Sequence, residues 1–366
     1  MTSRKRQKKL RSGYSTGACA AAAAKAAVLC LLSRRAPEEV TITFPDDSRH
    51  RFELCRCTSL DQGALATVVK DAGDDPDVTN GAEIGVEVRL VSGQAGTAEQ
   101  FQLLSGSGVG TVTKPGLPIP VGEPAINPMP RKMIRRAMAE GLEACGQAEL
   151  QLAATVFIPG GEELAKKTLN QRLGILGGLS VLGTTGIVRP VSAKAWTDTI
   201  EASMSVARAA GLDTVLLSTG RTSERAVQEQ IRLPEEAQVM MGDYLRYALE
   251  AAQRHGFSRI VIAAMWAKLL KAALAIPQTH VRNGALEPLQ GAELLEELGL
   301  DPDTARSMAQ ANTAREIYDR LLAGQRQDLI HAVSLRAQEQ ARHWSGLAVA
   351  IYLVTSEQGV VHHVPD

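Results

Sequence analysis

From about residue 150 onward, β-like and helical patterns alternate, and this rhythm limits the fold more than any other feature of the chain. Leu152–Ile158, Thr214–Ser218, Val239–Met241 and Arg259–Ala264 read as strands. Between them, Trp196–Ala210, Ser223–Gln230, Tyr244–His255 and Ala267–Leu274 read as helices. Repeated βα units of this length predict a mainly parallel, doubly wound α/β sheet that binds ligands outside the carboxyl ends of its strands. Helical patterns near Ala292–Leu298, Thr304–Ala323 and Leu329–His343, then a buried strand over Leu347–Thr355, complete this half.

The first half has a different texture. Ser15 and Thr16 offer N-cap oxygens to Ala18–Leu32, a run of strong helix formers without Gly or Pro. Val40–Phe44, Gly81–Leu90 and Val109–Thr113 have β-branched or alternating character and predict strands of an antiparallel or mixed sheet. Six prolines between Lys114 and Pro130 exclude a central strand or helix interior and predict an irregular loop that launches a basic helix over Arg131–Glu143. At roughly 150 residues per domain, 366 residues imply two domains. The texture change places them at 1–150, an α+β two-layer domain, and 151–366, the α/β domain.

Charge and cysteines bound the partners. Lys+Arg and Asp+Glu are equal at 40 each, so no global field favours nucleic acid or an anionic membrane. Six of the basic residues fall within the first eleven positions, leaving a body of 34 basic against 40 acidic residues. A basic start before an apolar run suggests a secretory leader, but Lys25 interrupts the run and Arg34-Arg35 occupies the place of a small-residue cleavage site. No window is read as approaching the roughly 18 to 20 apolar residues of a membrane span. With five cysteines and no CxxC pair, reduced thiols and a cytoplasmic location are expected. An oligomeric state is left open.

Several motifs could carry chemistry. Gly13-Tyr14-Ser15-Thr16-Gly17 either caps the first helix or cradles an anion with Tyr14, Ser15 and Thr16 at hand. Asp71, Asp74, Asp75 and Asp77 pack four carboxylates into seven residues, either as Asx turns or as a group poised to take a proton or face a cationic donor. Lys114, Arg131, Lys132, Arg135 and Arg136 lie close in sequence and suit a polyanionic ligand or a solvated helix face. In Leu173–Arg189, buried-strand character, the turn Gly183-Thr184-Thr185-Gly186 and Arg189 occur together, as beside a nucleoside-like cofactor on a parallel sheet. Ser218-Thr219-Gly220 and Asp243 also follow predicted strands, and Asp243 suits ribose hydroxyls. His280 is a loop histidine in a site-like segment, and His362-His363 has no accompanying ligand set for a metal.

Read in order, GYSTGACAAAAAKAA, KDAGDDPDVTNGAEI, VTKPGLPIPVGEPAINPMPRKMI and GGLSVLGTTGIVRPVS resemble the cobalt-precorrin-5B C1-methyltransferase family of anaerobic cobalamin biosynthesis. A weaker match runs from Lys268 to His280. The resemblance implies an α+β part followed by a Rossmann-like part. It implies methyl transfer from S-adenosylmethionine to C1 of the corrinoid, giving cobalt-precorrin-6A, with cobalt only in the substrate and no protein-held metal. It also implies corrinoid contacts from Tyr14, Ser15, Thr16, Lys114, Arg131, Lys132, Arg135, Arg189 and His280, whose cationic members would meet the carboxylate arms of the macrocycle. Cofactor contacts fall to Gly183, Thr184, Thr185, Gly186, Ser218, Thr219, Gly220 and Asp243. Catalysis falls to the four aspartates as a group. Other cobalamin-pathway enzymes are conceivable partners. The chain departs from the family pattern at Ser15, Ala18, Ala267 and around Gln278-Thr279-His280-Val281-Arg282. An NAD(P)-dependent corrinoid oxidoreductase and a non-catalytic corrinoid-binding protein are the alternatives, the first weakened by the lack of GxGxxG after a strand.

Overall fold

The computed structural model describes residues 10–91, 100–190, 192–278 and 286–366. The chain is mixed α/β and divides into two compact units, Met1–Ser192 and Ala193–Asp366.

The first unit is organised around the alanine helix, Thr16–Ser33. From Ala18 to Val28 every residue except Lys25 is buried. A helix that is apolar all round must be enclosed. One side meets a five-stranded sheet in the order Arg56–Leu60, Gly63–Val69, Glu83–Leu90, Leu152–Phe157, Phe101–Ser105, antiparallel except for its last pair. Register places Ala64 opposite Val88 and Ala66 opposite Val86, while Val88 and Val86 face Ala154 and Val156 across the next strand. All six are buried, so period-2 alternation turns one apolar face toward the helix.

The basic helix, Pro128–Ala144, encloses another side. Gly141 allows the close approach, because a Cβ there would lie 3.0 Å from Val28 Cγ1. Lys25, the interrupting charge, is satisfied rather than solvated: its Nζ donates to Thr41 O and to Glu140 Oε2, each at 2.7 Å. At 18 residues and mean hydropathy 1.6, the alanine helix does have the length and apolarity to cross a membrane, contrary to the expectation of no such window. Its packing makes it a core helix.

Leu152–Phe157 therefore belongs to the first unit's sheet and does not open the alternating half. A six-residue apolar run has the same signature in either sheet, and its partners decide its membership.

The second unit holds a five-stranded sheet in the order Gln238–Met240, Thr214–Ser218, Arg259–Ala264, Ala348–Thr355, Gly359–Val364, parallel except for the last pair. Alternate residues feed opposite faces. Leu217, Ile262 and Ile351 join a large core with the helices Leu245–Arg254 and Gln327–Ser345, whereas Leu216, Val261 and Ala350 pack on Val227 of Arg221–Ile231. The expected helix Thr304–Ala323 is two, Pro302–Met308 and Ala314–Ala323. Thr313 caps the second by accepting from Glu316 N at 3.1 Å, so a side-chain oxygen competes with helix continuation.

Candidate functional site

Four of the sequence motifs meet at the amino end of the alanine helix, all within the first unit. The segment Gly13–Gly17 runs beside the Asp-rich loop, with Tyr14 N donating to Asp71 O at 2.7 Å. A Cβ on Gly13 would lie 2.1 Å from the backbone of Ala72, so only glycine fits there. The turn Gly183–Gly186 lies across the helix start: Ser15 N donates to Gly186 O at 2.9 Å and Gly17 N to Leu182 O at 3.0 Å. The proline-rich loop arrives from a third direction, placing Pro130 against Gly17 and pairing Ile126 with Val181. The Gly183–Gly186 turn thus belongs to the first unit, and its backbone partners at the helix start are first-unit residues. The flanking strands Ile175–Leu176, Gly178–Leu179 and Ile187–Val188 are each two residues long and pair with first-unit partners.

The structure answers the choice between cap and anion cradle. Ser15 Oγ accepts from Ala18 N at 3.2 Å, and Cys19 N donates to Ser15 O at 3.1 Å. Thr16 Oγ1 donates to Leu182 O at 3.1 Å and accepts from Leu182 N at 2.9 Å. Ser15 and Thr16 are buried, and the amides of Gly17, Ala18 and Cys19 all have protein acceptors. This end is a capped, closed helix start. Cys19 behind it is no nucleophile, because burial pushes its thiol up to about 12.

The four aspartates do different work. Asp71 is exposed, and hydrogen bonds from the Arg11 guanidinium and Gly73 N hold its carboxyl below the ordinary range. Asp74 Oδ2 accepts from Arg11 N at 2.7 Å. Asp75 is half-buried, and its amide reaches Ala72 O at 3.4 Å. Asp77 pairs with Lys70, whose side chain is 1% exposed, and its Oδ1 accepts from Thr79 N at 2.8 Å. Burial alone would raise Asp77, but the Lys70 charge and the hydrogen bonds from Lys70 and Thr79 outweigh it and leave the carboxyl lowered. Lys70, a buried cation beside the helix start, carried no signal in sequence beyond preceding the Asp-rich run.

Among the basic residues, Arg131 is occupied. Its guanidinium donates to Ile126 O at 2.7 Å and Pro124 O at 2.9 Å and pairs with Glu123, holding the proline-rich loop in shape. Arg136 donates to Asp47 Oδ1 at 2.9 Å. Lys114 is half-buried beside Gly174, Arg135 is half-buried, and Lys132 and Arg189 are exposed. Thr184 and Thr185 are exposed on the turn, Thr185 accepting from Ile187 N at 3.3 Å.

Tyr14 lies in an aromatic nest that the sequence did not announce. Its ring centroid is 4.5 Å from Phe52 and 5.7 Å from His50, and His50 stacks on Phe44 at 4.1 Å. These three come from the hairpin Glu39–Thr43/Arg49–Glu53 and its turn, and nothing in the motifs singled out His50.

In the second unit, the remaining candidates line the carboxyl edge of the parallel sheet, where strand order reverses between Thr214–Ser218 and Arg259–Ala264. Thr219 N donates to Ala263 O at 3.2 Å across that point. Ser218 is buried and donates to Glu224 Oε2 at 3.1 Å, Gly220 starts the following helix, and Asp243 pairs with Lys268. A small cavity touches Thr219, Met241, Ile262, Ala264 and Lys268. The edge offers a hydroxyl, glycine backbone and a carboxylate, which suits a nucleoside, whereas Ser218 is turned into the protein. His280 and Thr279 lie outside the described residues. Among the described residues, no group of three or more His, Cys, Asp and Glu is placed to hold a metal.

Comparison with known proteins agrees with the motif order. The CbiD family model matches residues 3–190, and the model of the CbiD C-terminal domain matches residues 278–365. A cobalt-precorrin-5B C(1)-methyltransferase from Desulfotalea psychrophila is 52% identical over 97% of this chain and 98% of its own length. One from Geobacter metallireducens is 49% identical over 92% and 93%. The crystal structure of the cobalamin biosynthesis protein CbiD from Archaeoglobus fulgidus is 27% identical, covering 71% of this chain and 78% of that one, with a TM-score of 0.40. With the first family model spanning more than half of the chain and near-complete relatives at about half identity, the chain belongs to the CbiD family.

Proposed function

We propose that this protein methylates C1 of cobalt-precorrin-5B, the activity for which its relatives are named, with S-adenosylmethionine as donor. The single observation that carries the reading is the match, over almost the whole of both chains, to a relative of that name at 52% identity. The geometry supports it, because the four family-like motifs converge on one edge of the first unit.

Methyl transfer from a sulfonium is an in-line displacement, so the protein mainly positions the partners and shapes the charge around them. We assign the corrinoid to the first unit. Tyr14, Thr184 and Thr185 would face the macrocycle, and Lys132 and Arg189 would meet its carboxylates as exposed cations. Asp71 and Asp74 are exposed carboxylates that Arg11 holds at the reacting edge, whereas Asp77 holds Lys70 in place. Among the first-unit candidates, Ser15, Thr16 and Arg131 act by holding the edge in shape. We read the second unit as Rossmann-like and its sheet edge as the nucleoside site, with Thr219, Gly220 and Asp243 holding the donor, which supplies the methyl group when bound. A cytoplasmic location accords with this chemistry.

Anaerobic incubation with cobalt-precorrin-5B and methyl-labelled S-adenosylmethionine, followed by mass and NMR analysis of the corrinoid, tests the proposal. Label at C1 is the expected result. A corrinoid that binds and gains no label would overturn it in favour of a carrier role.

A further inference from the structure

Beside Tyr14 runs a chain of polar groups that leads away from the reacting edge. His50 Nδ1 is 3.5 Å from the Tyr14 hydroxyl, His50 Nε2 is 3.0 Å from Ser48 Oγ, and Ser48 Oγ donates to Asp46 Oδ1 at 2.5 Å. The Ser48 amide donates to the same carboxylate oxygen at 3.1 Å.

The direction of this chain follows from the donors. Ser48 gives its one hydroxyl proton to Asp46, so it must accept from His50, and His50 must carry its proton on Nε2. Nδ1 is then a bare acceptor facing the Tyr14 O–H, and the lone pairs of the tyrosine oxygen are available to a substrate donor. Stacking of His50 on Phe44 at 4.1 Å and 26° fixes the ring, and Gly186 seats the Gly183–Gly186 turn on the same Phe44, since a Cβ there would fall 2.6 Å from the ring. The nest thus joins His50 to the turn that borders the proposed corrinoid edge.

We propose that Tyr14 is the group that takes a proton from the corrinoid and that His50, Ser48 and Asp46 form the relay that receives it. The inference rests on the methyl-transfer reading and deepens it. When a ring carbon of the neutral conjugated macrocycle uses an electron pair to form the new C–CH3 bond, the S–CH3 bonding pair leaves with sulfur as a neutral thioether. The macrocycle has then gained a positive charge, which loss of one C–H proton beside the conjugated system removes. That proton passes to the Tyr14 oxygen as the Tyr14 proton passes to His50 Nδ1, and the imidazolium is held by Ser48 and the Asp46 carboxylate behind it. The long Tyr14–His50 contact is of the kind that tightens when substrate binds.

The surrounding charges favour the relay's direction. The Asp46 carboxyl is held below its ordinary range, first by the Ser48 hydroxyl and then by the Ser48 amide. Arg136, on the basic helix, reaches Phe44 O at 3.4 Å, but its charge is met by Asp47 and Glu140. Arg49 and Arg51, adjacent to His50 on its strand, alternate to the other face, where Arg51 pairs with Glu39.

Two measurements on the full-length protein test this. In histidine-labelled protein, the 15N shifts of His50, assigned by loss of its signal in His50→Asn, are expected to show the Nε2–H form. An Nδ1–H form would overturn the relay whether or not the protein transfers methyl groups. In steady-state assays with cobalt-precorrin-5B, His50→Asn is expected to lower kcat by about 100-fold, the lower range for loss of a positioned base, with little change in KM. Ser48→Ala keeps the aromatic nest, so it serves if His50→Asn does not fold, and it should lower kcat and release the tautomer. Unchanged kcat in a folded variant would refute the relay while methyl transfer by the wild type upheld the activity. An inactive wild type that binds both partners would refute the activity instead.

Discussion

Asp77→Asn separates a structural aspartate from a chemical one. Lys70 is held at 1% side-chain exposure, and Asp77, at 23%, supplies its countercharge, with Thr79 Oγ1 accepting from the ammonium at 2.5 Å. Removing one member of such a pair leaves a buried cation without its partner, at a cost of about 3–5 kcal/mol. The variant's amide oxygen still accepts from Lys70, so the low end, about 3 kcal/mol, applies. For a unit of this size each kcal/mol moves Tm by about 2–4 °C, giving an expected fall of about 6–12 °C at pH 7 in thermal melts followed by circular dichroism. The pH dependence has a definite sign. The folded Asp77 pKa is lowered, so its stabilisation is present above the unfolded carboxylate value of about 3.9 and is lost as pH falls through the folded value. The gap between wild type and variant should therefore close below about pH 4. Adding Lys70→Met to the variant should restore most of the lost stability, because an apolar replacement removes the uncompensated charge. A melting temperature within about 2 °C of wild type would refute the buried-pair account.

Three further outcomes follow from the same geometry. Gly183→Ala would place a Cβ 2.3 Å from Ser15 Oγ at a backbone φ of +128°, so it should unseat the Ser15 cap, cost about 1–2 kcal/mol in urea unfolding and depress methyl transfer. Lys132→Ala should raise KM for the corrinoid and leave Tm unchanged, whereas Arg131→Met should lower Tm, because Arg131 ties down Pro124 and Ile126 carbonyls while Lys132 is exposed. In the second unit, burial alone would raise Glu201, but hydrogen bonds from His255, Tyr247 and Arg254 hold it at about 2. Its contribution is present above its ordinary carboxyl value and is lost as pH falls toward 2, so Glu201→Gln should flatten Tm against pH over that interval.

The elements legible in sequence were those with their own local signal. The alanine helix had caps and uninterrupted helix formers, and Arg259–Ala264 had a β-rich run of the right length, so both elements were found where expected. Arg49–Glu53 and Arg56–Leu60 are rich in charge and polar residues, and only pairing with Glu39–Thr43 and Gly63–Val69 makes them strands. The site shows the same division. GYSTG, the Asp-rich run and GTTG were visible as motifs, but their meeting depends on long-range contacts such as Gly17 N to Leu182 O. His50 was invisible because its role comes from Tyr14, 36 residues away in the chain and 3.5 Å away in space.

The alanine helix explains how closely the elements approach at this meeting point. Small side chains let the sheet and the basic helix both close on it, and Ala18–Ala24 and Ala26–Val28 are buried between them. Its amino end would ordinarily be an anion site, since free amides and the helix dipole both favour negative charge. Here the amides of Gly17, Ala18 and Cys19 serve as anchors for the Gly183–Gly186 turn and the Ser15 cap. A carboxylate-bearing ligand at this edge must therefore be recognised by side chains such as Lys132 and Arg189, which are exposed, and not by the helix start. Raising ionic strength should accordingly weaken corrinoid binding far more than donor binding, because exposed cations are screened over about 8–10 Å at 0.1–0.15 M salt. Equal salt sensitivity for both ligands would refute that division of labour.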